Sequence, residues 1–533
     1  MNEMLSTLLP VLVVGPLFLG AFSAALRRSQ KIRHAISLIT LLAMLAAAIL
    51  LVVTTADGTV LAHQVGLWEA GVAIPLVVDT LSALMLAFVA VLALASVLFA
   101  MATHEARARF YHPFVLILMA GVAGAAMTGD IFNLFVFIEV MLLPSYGLMA
   151  MMGAKLGADS ARIFVTVNLM ASTLLLAGVG LVYATAGTVN LAELQGAAAE
   201  DPAIAIAGAV VLTAISIKAA VVPVHGWLTR TYSMTSPAVT ALFSGIHTKI
   251  AVYAIYRIYA MLFDGDQRFL WVGLTIAAVT MVVGALGAVG ENSTRSILVF
   301  HMISHIGYIM IGVGLFTTLG LTAAIFYLLH GMIVKASLFL STGALEETYG
   351  TARLDRLGGM LKREPLVAVI FMVAALSLVG MPPFSGFVAK FSLIGATFEA
   401  EQWIIGGVAV IVSLISMVAM LKIWTSVFMG PEPEGLERRA LTYQQAIHGK
   451  RYLRVEAQAE QPTLQVGPPT TGTAAVISGE RHARVTPKLI VPAALLAVVT
   501  LGLGLGAEVL MQLAEQAAQG LMDPSDYVKA VIG

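Results

Sequence analysis

The chain has 533 residues, 59% of them hydrophobic and 11% charged, with thirty basic residues balanced by thirty acidic ones. A mean hydropathy of +0.93 excludes a soluble globular domain. Cysteine is absent, which excludes disulfides, cysteine-ligated iron–sulfur clusters and thiolate zinc sites, so any redox centre must lie on another protein.

Apolar runs of roughly 20 residues, enough for a helix to cross a hydrocarbon core about 30 Å thick, recur along nearly the whole chain. They predict about fourteen spans, at 5–25, 33–54, 78–99, 112–128, 131–152, 162–185, 204–230, 237–262, 270–289, 296–316, 320–345, 366–397, 404–428 and 488–511. Segments this long, without strand alternation, read as helices rather than barrel strands. The expected fold class is an all-α membrane protein. The opening stretch "MNEMLSTLLPVLVVGPLFLGAF" has no basic start and no small-residue cleavage site, so it is expected to be the first retained helix and not a removed signal.

Basic residues sort by side. Arg27, Arg28, Lys31 and Arg33, then Arg107, Arg109, Lys155, Arg162, Arg230 and Arg295, then Arg353, Arg356, Lys362 and Arg363, fall in alternate loops. By the positive-inside rule those loops face the cytoplasm and both termini face outward. A bacterial cytoplasmic membrane is the expected location.

Span three opens at Asp79 and span five at Asp130, where a carboxylate satisfies free N–H groups and suits the helix dipole; both read as caps. Span five itself, "GDIFNLFVFIEVMLLP", carries Glu139 eight residues in, about 12 Å along the axis. Charge at that depth is costly and needs a partner or a polar path. Span seven holds Lys218 and His225, span eight His247, Lys249 and Arg257, span ten His301 and His305, span eleven His330 and Lys335, span twelve Lys390, and span thirteen Lys422. Arg257 and Lys422 lie near span ends, where their long stems are expected to reach the interface. Lys218, Lys249, Lys335 and Lys390 lie deeper. Four deep lysines outnumber one deep carboxylate, so static pairs cannot neutralise them all. Desolvation disfavours the ammonium and a nearby carboxylate favours it, so a carboxylate that moves its charge moves a proton. Among the imidazoles, which suit proton relay, His305 and His330 are the deeper candidates; His225, His247 and His301 are accessory ones. No catalytic residue and no metal site is expected, because the His301/His305 pair has no evident third ligand.

"SIKAAVVPVHGWL" and "SLVGMPPFSGFVAKF" share an interruption: Pro223, Gly226 and Trp227 match Pro383, Gly386 and Phe387, with Pro382 beside the second. Proline frees a carbonyl one turn back, which lipid tolerates only where protein or water satisfies it. The two broken helices are spans seven and twelve, five apart, as an inverted repeat requires. The expected organisation is therefore three N-terminal helices in 1–110, a five-helix repeat in 111–262, its inverted counterpart in 263–429, a flexible cytoplasmic linker in 430–487, and a last helix with its tail in 488–533. "LGLGLG" in the last helix reads as helix packing, since no strand precedes it.

"MTGDIFNLFVFIEVMLLPSYGLM", "SIKAAVVPVHGWL", "SGIHTKIAVYAIYRI" and "GMPPFSGFVAKFSL" together resemble the antiporter-like membrane subunits shared by respiratory complex I and Mrp-type cation/proton antiporters. Within that group "GDIFNLFVFIEV" is most similar to the D-type Mrp subunits. The resemblance implies that Glu139 modulates Lys218, and that Lys249, His305, His330 and Lys335 form a central polar axis ending at Lys390. It also implies a non-enzymatic subunit of a multisubunit Na⁺/H⁺ antiporter, or of one using another monovalent cation. Such a subunit has no cofactor of its own and works beside other membrane subunits in the bilayer, with no nucleic-acid partner. The alternative is a proton-pumping subunit of complex I or of a membrane-bound hydrogenase.

Overall fold

The computed structural model describes residues 2–26, 29–68, 73–103, 105–151, 155–436 and 483–533. Helices α1 (Asn2–Ala25) and α2 (Gln30–Thr55) precede a two-stranded antiparallel hairpin, β1 (Leu61–Gln64) with β2 (Pro75–Val78), in which Leu61 faces Val78. Then follow α3 (Thr80–Thr103), α4 (Tyr111–Met127), α5 (Ile131–Ala150), α6 (Lys155–Ala186), α7 (Pro202–Ala219), α8 (Gly226–Tyr232) and α9 (Pro237–Phe263). The second half continues with α10 (Leu270–Gly290), α11 (Thr294–Leu315), α12 (Thr318–Tyr349), α13 (Pro365–Val379), α14 (Ser385–Glu399) and α15 (Trp403–Ile423). The chain ends in α16 (Pro487–Leu505), α17 (Ala507–Met522) and α18 (Ser525–Ile532). Among the described residues, twelve helices are long and apolar enough to cross a membrane; α4 and α13 are shorter and apolar, and lie where the sequence places spans four and twelve.

The starts of the helices follow from local chemistry. Asp79 accepts from the Ser82 N–H at 2.9 Å and Asp130 from Asn133 N–H at 2.6 Å, the caps expected of both. Asp201 and Ser236 cap α7 and α9, each followed by proline in the first turn, where the missing N–H costs nothing.

Burial divides the bundle into a centre and a rim. In the most apolar 18-residue window of each helix, α9 and α12 are 100% buried and α11 94%, against 33% for α2, α10 and α15. The three interior helices are the ones that carry Lys249, His301, His305, His330 and Lys335, so the costliest residues sit farthest from lipid. Rim helices present Phe18, Ile39 and Ile404 outward. Exposed Trp271 and Trp403 stand at the first turns of α10 and α15, positions suited to an interfacial aromatic belt.

Three features go beyond the sequence reading. The region taken as a tail forms two amphipathic helices: α17 packs on α12, α3 and α9, and α18 lies on the hairpin, where Gln64 Nε2 donates to the Val531 carbonyl at 2.8 Å. Arg257 does not snorkel; it is buried in an ion pair with Asp79 at 2.5 Å. Lys422 caps backbone instead of reaching for water, donating to the carbonyls of Val289 and Glu291 at 2.9 and 2.7 Å, where α10 ends and its carbonyls lack partners.

Of the expected 430–487 linker, residues 437–482 lie outside the described residues. Its two ends are anchored. Gly359 N–H bonds the Gly430 carbonyl at 2.8 Å and Arg363 pairs with Glu432, while Glu364 accepts from the Val485 N–H at 2.8 Å and the Tyr349 hydroxyl at 2.9 Å. In "LGLGLG", a Cβ on Gly504 would come within 2.7 Å of the Pro383 carbonyl oxygen, so close packing of α16 on the second helix break requires glycine there.

Candidate functional site

Both proline-marked breaks are present. Helix α7 ends at Ala219, Ala220 turns left-handed at φ 59°, and α8 restarts at Gly226; Val222–Pro223 is cis. Helix α13 ends at Val379, Gly380 turns at φ 91°, and α14 restarts at Ser385; Pro382–Pro383 is cis. The carbonyls freed by these breaks find protein donors. Trp227 Nε1 donates to the Ile217 carbonyl at 3.0 Å, and Lys390 Nζ to the Val379 carbonyl at 2.8 Å. At the second break the donor is thus a lysine that is itself a relay candidate.

Lys218 lies in the last turn of α7, 5% exposed, with its ammonium 3.7 Å from the Glu139 carboxylate of α5. Ser172 of α6 lies between them, accepting from Lys218 Nζ at 2.7 Å and donating to Glu139. The Asn168 carbonyl, one turn earlier on α6, also accepts from Lys218 at 3.4 Å. Glu139 is 24% exposed on the outer face of the chain, in the middle of an apolar helix.

His247 on α9 lies within electrostatic reach of Lys218. Both of its ring nitrogens are engaged: Nε2 with the Ser145 hydroxyl at 2.8 Å and Nδ1 with the Tyr232 hydroxyl at 3.2 Å. Two residues on, Lys249 is fully buried, with Thr248 Oγ1 at 3.2 Å. Lys249 and Lys335 are within electrostatic reach of each other, and His305 is within reach of both.

The second half of the line is formed by α11, α12 and α14. Lys335 donates to the His301 carbonyl at 2.9 Å. His305 stacks on Tyr327, with ring centroids 4.3 Å apart, and its imidazole lies against Gly331, where a Cβ would come 1.9 Å from Nε2. Glycine at 331 is what lets that ring enter the axis. His330 Nδ1 meets the Ser385 hydroxyl at 2.8 Å, and Ser385 also reaches the Ser377 hydroxyl at 3.2 Å. Lys390, within electrostatic reach of His330, His301 and Lys335, donates to Ser413 Oγ at 2.9 Å as well as to Val379. The ring nitrogens of His301 and His305 make no hydrogen bond to another described residue, and buried polar atoms of this kind ordinarily hold ordered water.

The structure thus brings Glu139 and Lys218 together with accessory His247, and Lys249, His305, His330, Lys335 and Lys390 together with accessory His301. His225 lies in the first break, half-buried. Sequence reasoning missed Ser172, Ser145, Tyr232, Tyr327, Ser385 and Ser413. Hydroxyls scattered through apolar helices carry no positional signal of their own.

The arrangement has relatives. A family model described as NADH:quinone oxidoreductase/Mrp antiporter, TM, matches residues 128–416. The D-type Na(+)/H(+) antiporter subunit of Alkalihalophilus pseudofirmus is 33% identical over 531 residues, covering 98% of this chain and 99% of that one. A protein of the same name from Bacillus subtilis is 30% identical over 88% of each chain. Among solved structures, a chain in the "Structure of Mrp complex from Dietzia sp. DQ12-45-1b" is 50% identical, with TM-score 0.90 over 99% of this chain and all of that one. A chain of respiratory complex I from Thermus thermophilus, 22% identical with TM-score 0.74 over 96% of this chain and 99% of that one, shares the fold.

Proposed function

We propose, for a chain that belongs to the NADH:quinone oxidoreductase/Mrp antiporter membrane family, a relay by which it serves as the proton-carrying part of an antiporter. The chain is a multi-pass membrane subunit of a cation/H⁺ antiporter and works beside other membrane subunits. Protons move along Lys218, Lys249, His305, His330, Lys335 and Lys390, with ordered water between the histidines, and the exchanged cation is Na⁺. The observation that carries this reading is the placement of these groups on the three most buried helices and the two broken ones, with Lys218 in reach of His247 and with Lys249, His305, His330, Lys335 and Lys390 each within electrostatic reach of the next.

Glu139 couples the line to its surroundings. A carboxylate 24% exposed in mid-span is expensive against lipid, so a neighbouring subunit covers it in the assembled complex. A charge arriving from that neighbour alters the Glu139–Lys218 interaction and sends the Lys218 proton onward. The chain threads with both ends on the outer side of a bacterial cytoplasmic membrane, which puts its basic loops in the cytoplasm.

The test uses inside-out vesicles from an antiporter-deficient host that carries the whole operon, following sodium-induced collapse of a pH gradient. Glu139→Gln is expected to lower the exchange rate by at least tenfold with the complex still assembled. Wild-type exchange from the variant would reduce Glu139 to a packing residue.

A further inference from the structure

The carboxylate and ammonium at the head of the line form an ion pair, but at a distance that leaves room for a hydroxyl to bridge them. Glu139 Oε1 and Lys218 Nζ are 3.7 Å apart, longer than a hydrogen bond, and the connection between them runs through the Ser172 hydroxyl. Ser172 is 3% exposed and sits on α6, between the surface carboxylate and the interior lysine. A hydroxyl has one proton and two lone pairs, so it can take a proton on one side while releasing one on the other. Lys390 offers the contrast. Its serine, Ser413, has a second partner in the Val379 carbonyl, which has no capacity to carry a proton onward.

We propose that Ser172 is itself a relay group, passing a proton between Lys218 and Glu139; this rests on the relay reading above. In the forward step one N–H bond of the Lys218 ammonium breaks as its proton forms a new O–H bond on Ser172 Oγ. The original Ser172 O–H bond breaks at the same time, and that proton binds the Glu139 carboxylate. The serine ends with one proton, as it began, and the net charge of the trio is unchanged. A charged pair becomes a neutral amine and a neutral carboxyl, which removes the desolvation cost of two ions in a low-dielectric site. The return step uses the same hydroxyl with donor and acceptor exchanged. The switch at the head of the line is thus a three-member chain, in which the state of a carboxylate at the chain's outer face is read by a lysine in its interior.

The experiment uses the assembled complex in the vesicle assay, with Ser172→Ala, Ser172→Thr, Ser172→Gly and Glu139→Gln measured across a pH series. Ser172→Ala is expected to lose at least tenfold in initial exchange rate and to displace the midpoint of the rate–pH profile, while Ser172→Thr, which keeps the hydroxyl, restores both. If Ser172→Ala fails to assemble, Ser172→Gly, which likewise has no side-chain proton to pass, takes its place in that comparison. Wild-type rate in the hydroxyl-free variant overturns the proposal. So does equal loss in Ser172→Thr, or a lowered rate with an unmoved pH midpoint, since packing alone produces either. Loss in Glu139→Gln with none in Ser172→Ala sinks this inference and leaves the relay standing; a Glu139→Gln complex that exchanges normally reduces Glu139 to a packing residue and takes its coupling role down together with this inference.

Discussion

Arg257 shows what a buried cation requires at the scale of one residue. Its guanidinium meets Asp79 at 2.5 Å and lies over the rings of Tyr253 and Tyr527, at 5.6 and 5.0 Å from their centroids. Asp79 in turn caps α3 through the Ser82 N–H, so one carboxylate closes a helix start and neutralises a charge at the far end of α9. Removing one member of such a pair leaves the other buried and uncompensated, at a cost of about 3–5 kcal/mol. Asp79→Ala is expected to lower the thermal midpoint of the detergent-solubilised complex, and adding Arg257→Met to recover part of that loss. If Asp79→Ala leaves the midpoint where it is, the pair does not hold α3 to α9.

The same accounting at the scale of elements turns on the loop between α3 and α4. Glu105 there is half-buried, accepts from the Ser236 hydroxyl at 2.8 Å, and so ties the loop to the residue that caps α9. Burial pushes its carboxyl up to about 8, Glu347 adds to the push, and the Ser236 bond opposes it. The folded chain therefore keeps a proton that the unfolded chain gives up near 4.5. With more protons bound in the folded state, stability falls as pH rises across that window, and the contribution is gone above about 8. Glu105→Gln is expected to flatten the fall in thermal midpoint between pH 6 and pH 9 relative to wild type. Parallel curves for the two proteins would show that Glu105 is already ionised throughout.

For the whole molecule, the threading is open to a direct measurement, because the chain contains no cysteine to remove first. Glu193 and Arg356 are both exposed in loops, the first on the expected outer side and the second on the inner. A membrane-impermeant maleimide is expected to label Glu193→Cys in intact cells and Arg356→Cys only in inside-out vesicles. The opposite pattern would invert the bundle and place the α17–α18 cover, which packs over α3, α9, α12 and the hairpin, on the cytoplasmic face.

Much of this architecture was legible in the residues because lipid imposes large costs. Spans were visible as apolar runs, the breaks as prolines where a helix can least spare a donor, and Glu139, Lys218, Lys249, Lys335 and Lys390 as charges whose cost in lipid demands a partner or a polar path. Less costly groups left no such trace. A serine inside an apolar helix can bond the carbonyl four residues back, as Ser145 does with Met141, so a packing serine and a relay serine look alike in sequence. The amphipathic α17 escaped for a related reason: its alternation of Glu508, Gln512 and Glu515 with Leu510, Ala514 and Leu521 is too polar for a span, and what it covers depends on helices more than 150 residues away in sequence. The sequence by itself determined which residues are costly to hold in lipid. Only the tertiary structure decided which hydroxyls stand between them, because proximity across helices is set by packing and not by any property of the serine.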